Sequence, residues 1–284
     1  MSNQTLNDNK NPSKIKRGEM ISISSAKGGV GKTMLAVNLA VALSKRNKKI
    51  CILDADFQFG DVSLAMDIQA TFSIKDIIEG IDRIDLDALI SSLNLHDSGV
   101  HVLSAPDRPE YADLVTTSVL EKILDLLLGY FDYVIVDTEV GLQEKSLFLI
   151  DKTDTLLIVT NLEMTTLKNT KLMIETLDVL GFRDKVQVIV NRSDMESVIQ
   201  ATDVPGILNE TSPIYIPNDF QTTSQSINIG VPFVSNRART DIAKAIYKMA
   251  EQVTSRREIA VFEPPKPSLL QRLLRKTKDK EGQA

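Results

Sequence analysis

Three residue types are scarce in this 284-residue chain, and each scarcity excludes a class of protein. There is one cysteine, Cys51, so no disulfide framework and no Cys-ligated cluster forms within one chain. Cys51 lies inside the apolar run KKICILDAD and reads as a buried strand thiol. The only two histidines, His96 and His101, stand apart from any acid or Cys cluster, which argues against a metal site there. Tryptophan is absent and aromatics make up 5%. No apolar stretch reaches the roughly 18 residues of a membrane span. Residues 1–18 are polar and basic, without the apolar centre of a signal peptide. The net charge of −5 argues against a protein that coats nucleic acid, although a local basic patch would be hidden in the average. A cytosolic protein is expected.

What is present is a core. With 43% hydrophobic residues, the chain is able to bury one large domain. Residues 1–18 read as a disordered leader. From 19 to about 254, runs such as MISIS, KICILD, VHVLSA, YVIVDT, TLLIVT, VQVIVN and PIYIP read as strands. They are rich in Ile and Val and apolar without alternation, as in strands covered on both faces. Helical patterns fall between them at 33–46, 63–66, 73–79, 85–93, 116–129, 143–150, 165–180, 219–228 and 238–254. The expected fold is therefore α/β, a doubly wound and mostly parallel sheet with helices on both faces. A linker and C-terminal tail would occupy 255–284.

One stretch carries chemistry with high specificity. ISISS is a strand, AKGGVGKT a glycine-rich turn, and TMLAVNLAVALSKR a helix, which is the context of a phosphate-binding loop. Gly28, Gly29 and Gly31 let backbone N–H groups face phosphates, and the helix N-terminus adds a favourable dipole. Lys32 would reach the β- and γ-phosphates of a nucleotide, and Thr33 would offer its hydroxyl to Mg²⁺. The nucleotide-contacting stretch runs from Lys27 through Val30 to Met34. Asp54 and Asp56 follow the second strand in ILDADFQFGD, and Asp137 ends the strand in FDYVIVDT. An acid at a strand end also serves as a turn or cap residue. Beside a complete phosphate loop, acids after two such strands point instead to Mg²⁺ chemistry.

Ala26 stands where the general loop opens with glycine, and Lys27 follows directly. This form resembles the deviant Walker A loop of the ParA/MinD family of ATPases. The resemblance covers about residues 19–253 and implies an ATP-dependent homodimer in which Lys27 reaches the partner's nucleotide. It also implies that Asp56 positions the attacking water, that Asp54 lies near the Mg²⁺ shell, and that Asp137 holds the metal through water. The same resemblance has Asn191 reading adenine and Pro217 lining the base pocket. Glu139 and Val140 replace the family's usual residues after Asp137, and Gly141 keeps the following loop hinged. The text DADFQFGDVSLAMDI, SIKDIIEG and VHVLSAPDRPEYADLV is most similar to the pilus-assembly branch (CpaE/TadZ type), which implies a pilus or secretion machine as client. Flagellar-placement and division-site branches, and a DNA-partition role, are the alternatives.

In the tail, SLLQRLLRKTKDK taken as a helix puts Leu269, Leu270, Leu273 and Leu274 within an arc of about 140°. Arg272, Arg275 and Lys276 all fall outside that arc, Arg275 opposite its centre and Lys276 at its edge. Such a segment suits an anionic membrane surface, giving a peripheral position at the inner face of the cell membrane. Docking of the leucines on the protein itself or on a partner is the other reading.

Overall fold

All seven apolar runs become strands in the computed structural model, which describes residues 17–260. In chain order, β1 (Glu19–Ser24) leads through α1 (Lys32–Ser44) to β2 (Ile50–Ala55). Three short helices, α2 (Val62–Ala65), α3 (Ile74–Glu79) and α4 (Leu86–Ser91), precede β3 (Asn94–Leu95) and β4 (His101–Leu103). Then come α5 (Thr117–Tyr130), β5 (Tyr133–Thr138), α6 (Glu144–Lys152), β6 (Thr155–Thr160), α7 (Met164–Val179) and β7 (Val186–Asn191). The chain continues with α8 (Val204–Leu208), β8 (Ile214–Ile216), α9 (Phe220–Ile229), α10 (Phe233–Asn236) and α11 (Asp241–Ala260).

The strands form one sheet in the order β3-β4-β2-β5-β1-β6-β7-β8, parallel throughout except for β3, which pairs antiparallel with β4 at the edge. Alternate residues of each strand enter opposite layers. Ile21, Ile23, Ile50, Ile52 and Ile135 pack towards α1 and α11. Met20, Cys51, Leu53, Val134 and Val136 pack towards α5, and Leu156, Ile158, Val188 and Val190 towards α7 and α8. Both faces are therefore covered, which explains why the strands read as unbroken apolar runs. Burial pushes the Cys51 thiol far above its ordinary pKa, so it is an inert packing group.

Helix α1 is enclosed on all sides, with every residue from Met34 to Leu43 buried. It sits between the sheet and helices α2, α10 and α11. Leu35, Leu39 and Leu43 each contribute about 1.5–3 kcal/mol by burial. Inside this apolar layer Asn38 has both ends of its amide satisfied. Its Nδ2 donates to Met34 O at 2.8 Å, and its Oδ1 accepts from Val234 N at 3.1 Å, fastening α10 to α1. The phosphate loop thus starts a helix that is held rigidly by the core.

The structure departs from the sequence expectations at three places. Arg17 and Gly18, assigned above to the leader, are fastened: Arg17 pairs with Asp154 at 2.9 Å, and Gly18 N donates to Leu128 O at 2.7 Å. Helix α11 does not stop at 254 but runs to Ala260, because SRREIA favours helix while Val253 is the last residue seen buried. Elements β3, α8 and α10 are two to five residues long, too short for any periodicity to show. The tail residues Leu269–Lys276, like residues 1–16, lie outside the described residues. Among those described, no helix is long and apolar enough to cross a membrane.

Candidate functional site

The strand order places the site. Strand β1 lies between β5 and β6, and the chain reverses its winding direction there, which opens a crevice beyond the carboxyl ends of the strands. The loop 25–31 leaves β1 at this crevice. Asp54 and Asp137, register partners on β2 and β5, and Asn191, at the end of β7, stand around it.

Within the loop, Gly31 is the residue whose replacement costs most. It adopts φ 99°, in the left-handed region that side chains avoid, and a Cβ there would meet Asn191 Nδ2 at 2.6 Å. As the N-cap of α1 it offers no side chain, and no side chain caps the helix. The first amides of α1, at Lys32, Thr33 and Met34, are left for an anion.

The carboxylates show what else the cradle lacks. Thr33 Oγ1 donates to Asp137 Oδ2 at 2.6 Å, while Asp137 Oδ1 is buried with no hydrogen-bond partner. Burial raises the Asp137 carboxyl to about 6, the Thr33 bond and the Lys32 charge pull it down, and the charges of Asp56 and Asp61 push it up. Asp54 is held well above the ordinary carboxylate range, by burial first and then by the charge of Asp137. Two buried acids side by side are relieved by a cation, and the orphaned oxygen of Asp137 fits a Mg²⁺-bound water. Among the described residues no group of three or more His, Cys, Asp or Glu could hold a metal by itself. Mg²⁺ bound together with a nucleotide needs only one or two protein ligands, since phosphates and waters supply the rest.

Asp54 is turned towards its own loop. It accepts from Asp56 N at 3.3 Å and Val62 N at 3.1 Å, and Gly60 passes so close that a Cβ would lie 2.4 Å from Asp54 Oδ2. The residue therefore shapes the loop that carries Asp56. Asp56 itself is half-buried, and its Oδ1 accepts from Phe59 N at 3.3 Å.

A second part of the site is a cleft of about 210 Å³ that brings together Gly31, Met34, Asn191 and Pro217. Asn191 Nδ2 donates to Val30 O at 2.8 Å and Asn191 Oδ1 accepts from Arg192 N at 3.0 Å. One amide hydrogen and one oxygen lone pair are left, the complement needed to read a base edge. Arg192, Asp219, Phe220, Thr223 and Ile227 also line the cleft and were not anticipated. Arg192 carried a signal: it follows Asn191 in NRSD, a turn in which it takes φ 54°.

Lys27 points elsewhere. Its Nζ donates to Thr165 Oγ1 at 3.0 Å and pairs with Glu163 at 3.4 Å, both at the start of α7, with 43% of its side chain exposed. The Glu163 carboxyl is lowered, chiefly by the Thr166 hydroxyl and then by Lys27. Large apolar side chains are exposed on the segments beside it, Val140 at 38% next to Gly28 and Met164 at 62% next to Glu163, and Phe59 on the Asp56 loop is exposed at 72%.

Residues 18–190, more than half of the chain, match the AAA domain family model AAA_31. The septum site-determining protein MinD of Thermotoga maritima is 27% identical over 244 residues, spanning 83% of this chain and 88% of that protein. A ParA family ATPase from Chlorobium tepidum TLS has the same fold, with a TM-score of 0.78 at 20% identity over 84% of this chain and 99% of that one. So does the septum site-determining protein MinD of Pyrococcus horikoshii OT3, solved as a complex with Mg-ADP. Its TM-score is 0.73 at 23% identity, over 85% of this chain and 98% of that one.

Proposed function

Because the chain belongs to the AAA domain family and to the ParA/MinD ATPases within it, we propose that it is an ATP-driven dimerisation switch which sits on a membrane surface and positions a partner machine there. The observation that carries this reading is the contrast between a cradle completed by the chain's own residues and a second lysine standing at its outer lip. Lys32 and the α1 amides bind the chain's own phosphates. Lys27 leaves Glu163 and Thr165 for the nucleotide of a second copy, and Phe59, Val140 and Met164 supply apolar area for that contact.

Hydrolysis converts ATP and water to ADP and phosphate. Mg²⁺, when bound, screens the β- and γ-phosphate oxygens. Thr33, oriented by its bond to Asp137, would offer its hydroxyl to that ion, and the carboxylate of Asp137 would hold it through a water. Asp56 accepts a hydrogen bond from the attacking water and fixes its direction, while Lys32 and the partner's signature lysine meet the charge that develops on the phosphate. In this reading turnover is slow and stimulated by a partner.

The membrane part of the proposal rests on the tail sequence, whose helical projection groups Leu269, Leu270, Leu273 and Leu274 on one arc and leaves Arg272, Arg275 and Lys276 outside it. One such segment is a weak anchor, and two on one dimer bind with much higher avidity. For the client, the septum-site relatives support a division-site apparatus at least as well as the sequence text supports a pilus or secretion machine. Sedimentation with anionic liposomes in ATP and in ADP, for the full chain and for one ending before Pro267, tests the membrane reading. ATP-favoured pelleting that disappears with the tail is the expected result. Absence of pelleting in both nucleotides, with salt-sensitive retention on DNA in ATP, would favour a partition ATPase instead.

A further inference from the structure

Asp56 sits on a loop, and a water-orienting carboxylate has to be held to within about half an ångström of its working position. The residue after it, Phe57, is 3% exposed and belongs to the core cluster of Leu53, Val136 and Leu149. Phe57 therefore roots the loop. One cation approaches its ring: Lys145 Nζ, in the first turn of α6, lies 5.7 Å from the ring centroid. The same Nζ donates to Ala112 O at 2.5 Å, in the 3-10 turn Pro109–Leu114, and Ala112 is itself 3% exposed. The ammonium is thus fixed from two sides at a partly buried site, where a cation over an aromatic ring is worth more than at an open surface.

The neighbouring residue ties the other loop to the same turn. Ser146, 1% exposed, donates to Glu139 Oε1 at 3.0 Å. Further along that loop Gly141, at φ 86°, donates its N–H to Ser25 O at 2.9 Å, at the base of the phosphate loop. The first turn of α6 therefore grips the loop after β5 through Ser146 and the loop after β2 through Lys145. A displacement at Gly141 has a physical route to Asp56 by way of α6, Lys145 and Phe57.

We propose that Lys145 is a positioning residue for hydrolysis, holding the Asp56 loop against α6 through Phe57 and so joining the two loops that flank the phosphates. The proposal rests on the hydrolytic reading given above. Its contacts run to Phe57 and Ala112, so nucleotide affinity, which belongs to the phosphate loop and the base cleft, is independent of it.

The test uses the full chain in steady-state hydrolysis, ATP-analogue binding and amide hydrogen exchange. Lys145→Met lowers kcat by about fivefold, the scale of one partly buried cation–π contact. KM and analogue affinity stay within about twofold, because the lost interaction acts on turnover and not on uniform binding. Lys145→Arg, which keeps the cation over the ring, restores kcat. Combined with Phe57→Leu, Lys145→Met adds little further loss, as expected for two members of one contact. In hydrogen exchange, residues 56–61 of Lys145→Met exchange several-fold faster while β1 and α1 are unchanged. A wild-type kcat in Lys145→Met, a loss shared equally by affinity and kcat, additivity with Phe57→Leu, or unchanged exchange at 56–61 would each overturn the proposal. A wild-type chain with no turnover contradicts the hydrolytic reading, and the exchange comparison then decides on Lys145 alone.

Discussion

Two lysines five residues apart in one loop have opposite surroundings. Lys32 begins a helix enclosed by the core and lies close enough to Asp137 to lower its pKa. Lys27 lies on the rim, paired with exposed partners on α7 and bordered by exposed apolar side chains. The cradle is built around groups of its own chain that leave specific polar positions open. The rim is built of groups whose present partners, at an exposed ion pair worth at most about 1 kcal/mol, are easily given up. That difference separates holding a nucleotide from responding to it.

Substitutions sharpen the contrast. The largest effect belongs to the cradle: Lys32→Ala weakens ATP binding by about a hundredfold or more, as loss of a charge-assisted phosphate contact should. Equilibrium binding of a fluorescent ATP analogue measures it, and retained tight binding would remove Lys32 from the site. Next comes Asp137→Asn. The folded-state pKa of about 6 lies above the ordinary carboxylate value of 3.8, so the folded chain binds more protons than the unfolded one between these values. The stability of the nucleotide- and Mg²⁺-free chain therefore falls as pH rises from about 4 to 6 and is constant above that, for this group. Asparagine removes a penalty of about 3 kcal/mol or less. Thermal melts without nucleotide should show Asp137→Asn more stable than wild type at pH 7.5, with the gain shrinking towards pH 5, while hydrolysis is lost. A gain independent of pH would contradict the titration.

A smaller effect is expected in the base cleft. Asn191→Ala leaves phosphate contacts intact but removes an amide able to read a base, so the preference for ATP over GTP falls by about tenfold. Because Asn191 also donates to Val30 O, both nucleotides bind somewhat more weakly. Competition binding with the two nucleotides separates these contributions, and an unchanged preference would leave Asn191 as a prop of the phosphate loop only.

How much of this was legible in sequence follows from burial. Strands covered on both faces, such as ICILDA and YVIVDT, have no polar positions to interrupt them and stand out as apolar runs. The two-residue β3 has nothing to repeat. In α11 the apolar repeat in the sequence gives way to SRRE after Val253, so a reading based on periodicity ends there while the backbone continues to Ala260. In the candidate site, loop spacing pointed to Gly31, Lys32 and Thr33 and a strand end to Asp137, and the fold places these four around one crevice. The inward turn of Asp54, by contrast, depends on how Gly60 and Val62 fold back over it, and Lys145 depends on a long-range approach to Phe57 and Ala112. Neither leaves a pattern along the chain. Arg192 and Phe220 join the base cleft because β7 and α9 meet there, which is likewise a property of the fold.

The rim lysine separates a dimerisation switch from a simple nucleotide binder. The direct measurement is the mass of the particle in solution, by sedimentation velocity with Mg-ATP, for Asp56→Ala and for the Lys27→Ala, Asp56→Ala double variant. The Asp56 change slows hydrolysis so that the ATP state persists. The predicted result is a dimer for the single variant and a monomer for the double one, with ATP affinity per chain within about threefold between them because the cradle is untouched. A double variant that dimerises as readily as the single one would contradict the assignment of Lys27 to the neighbouring site.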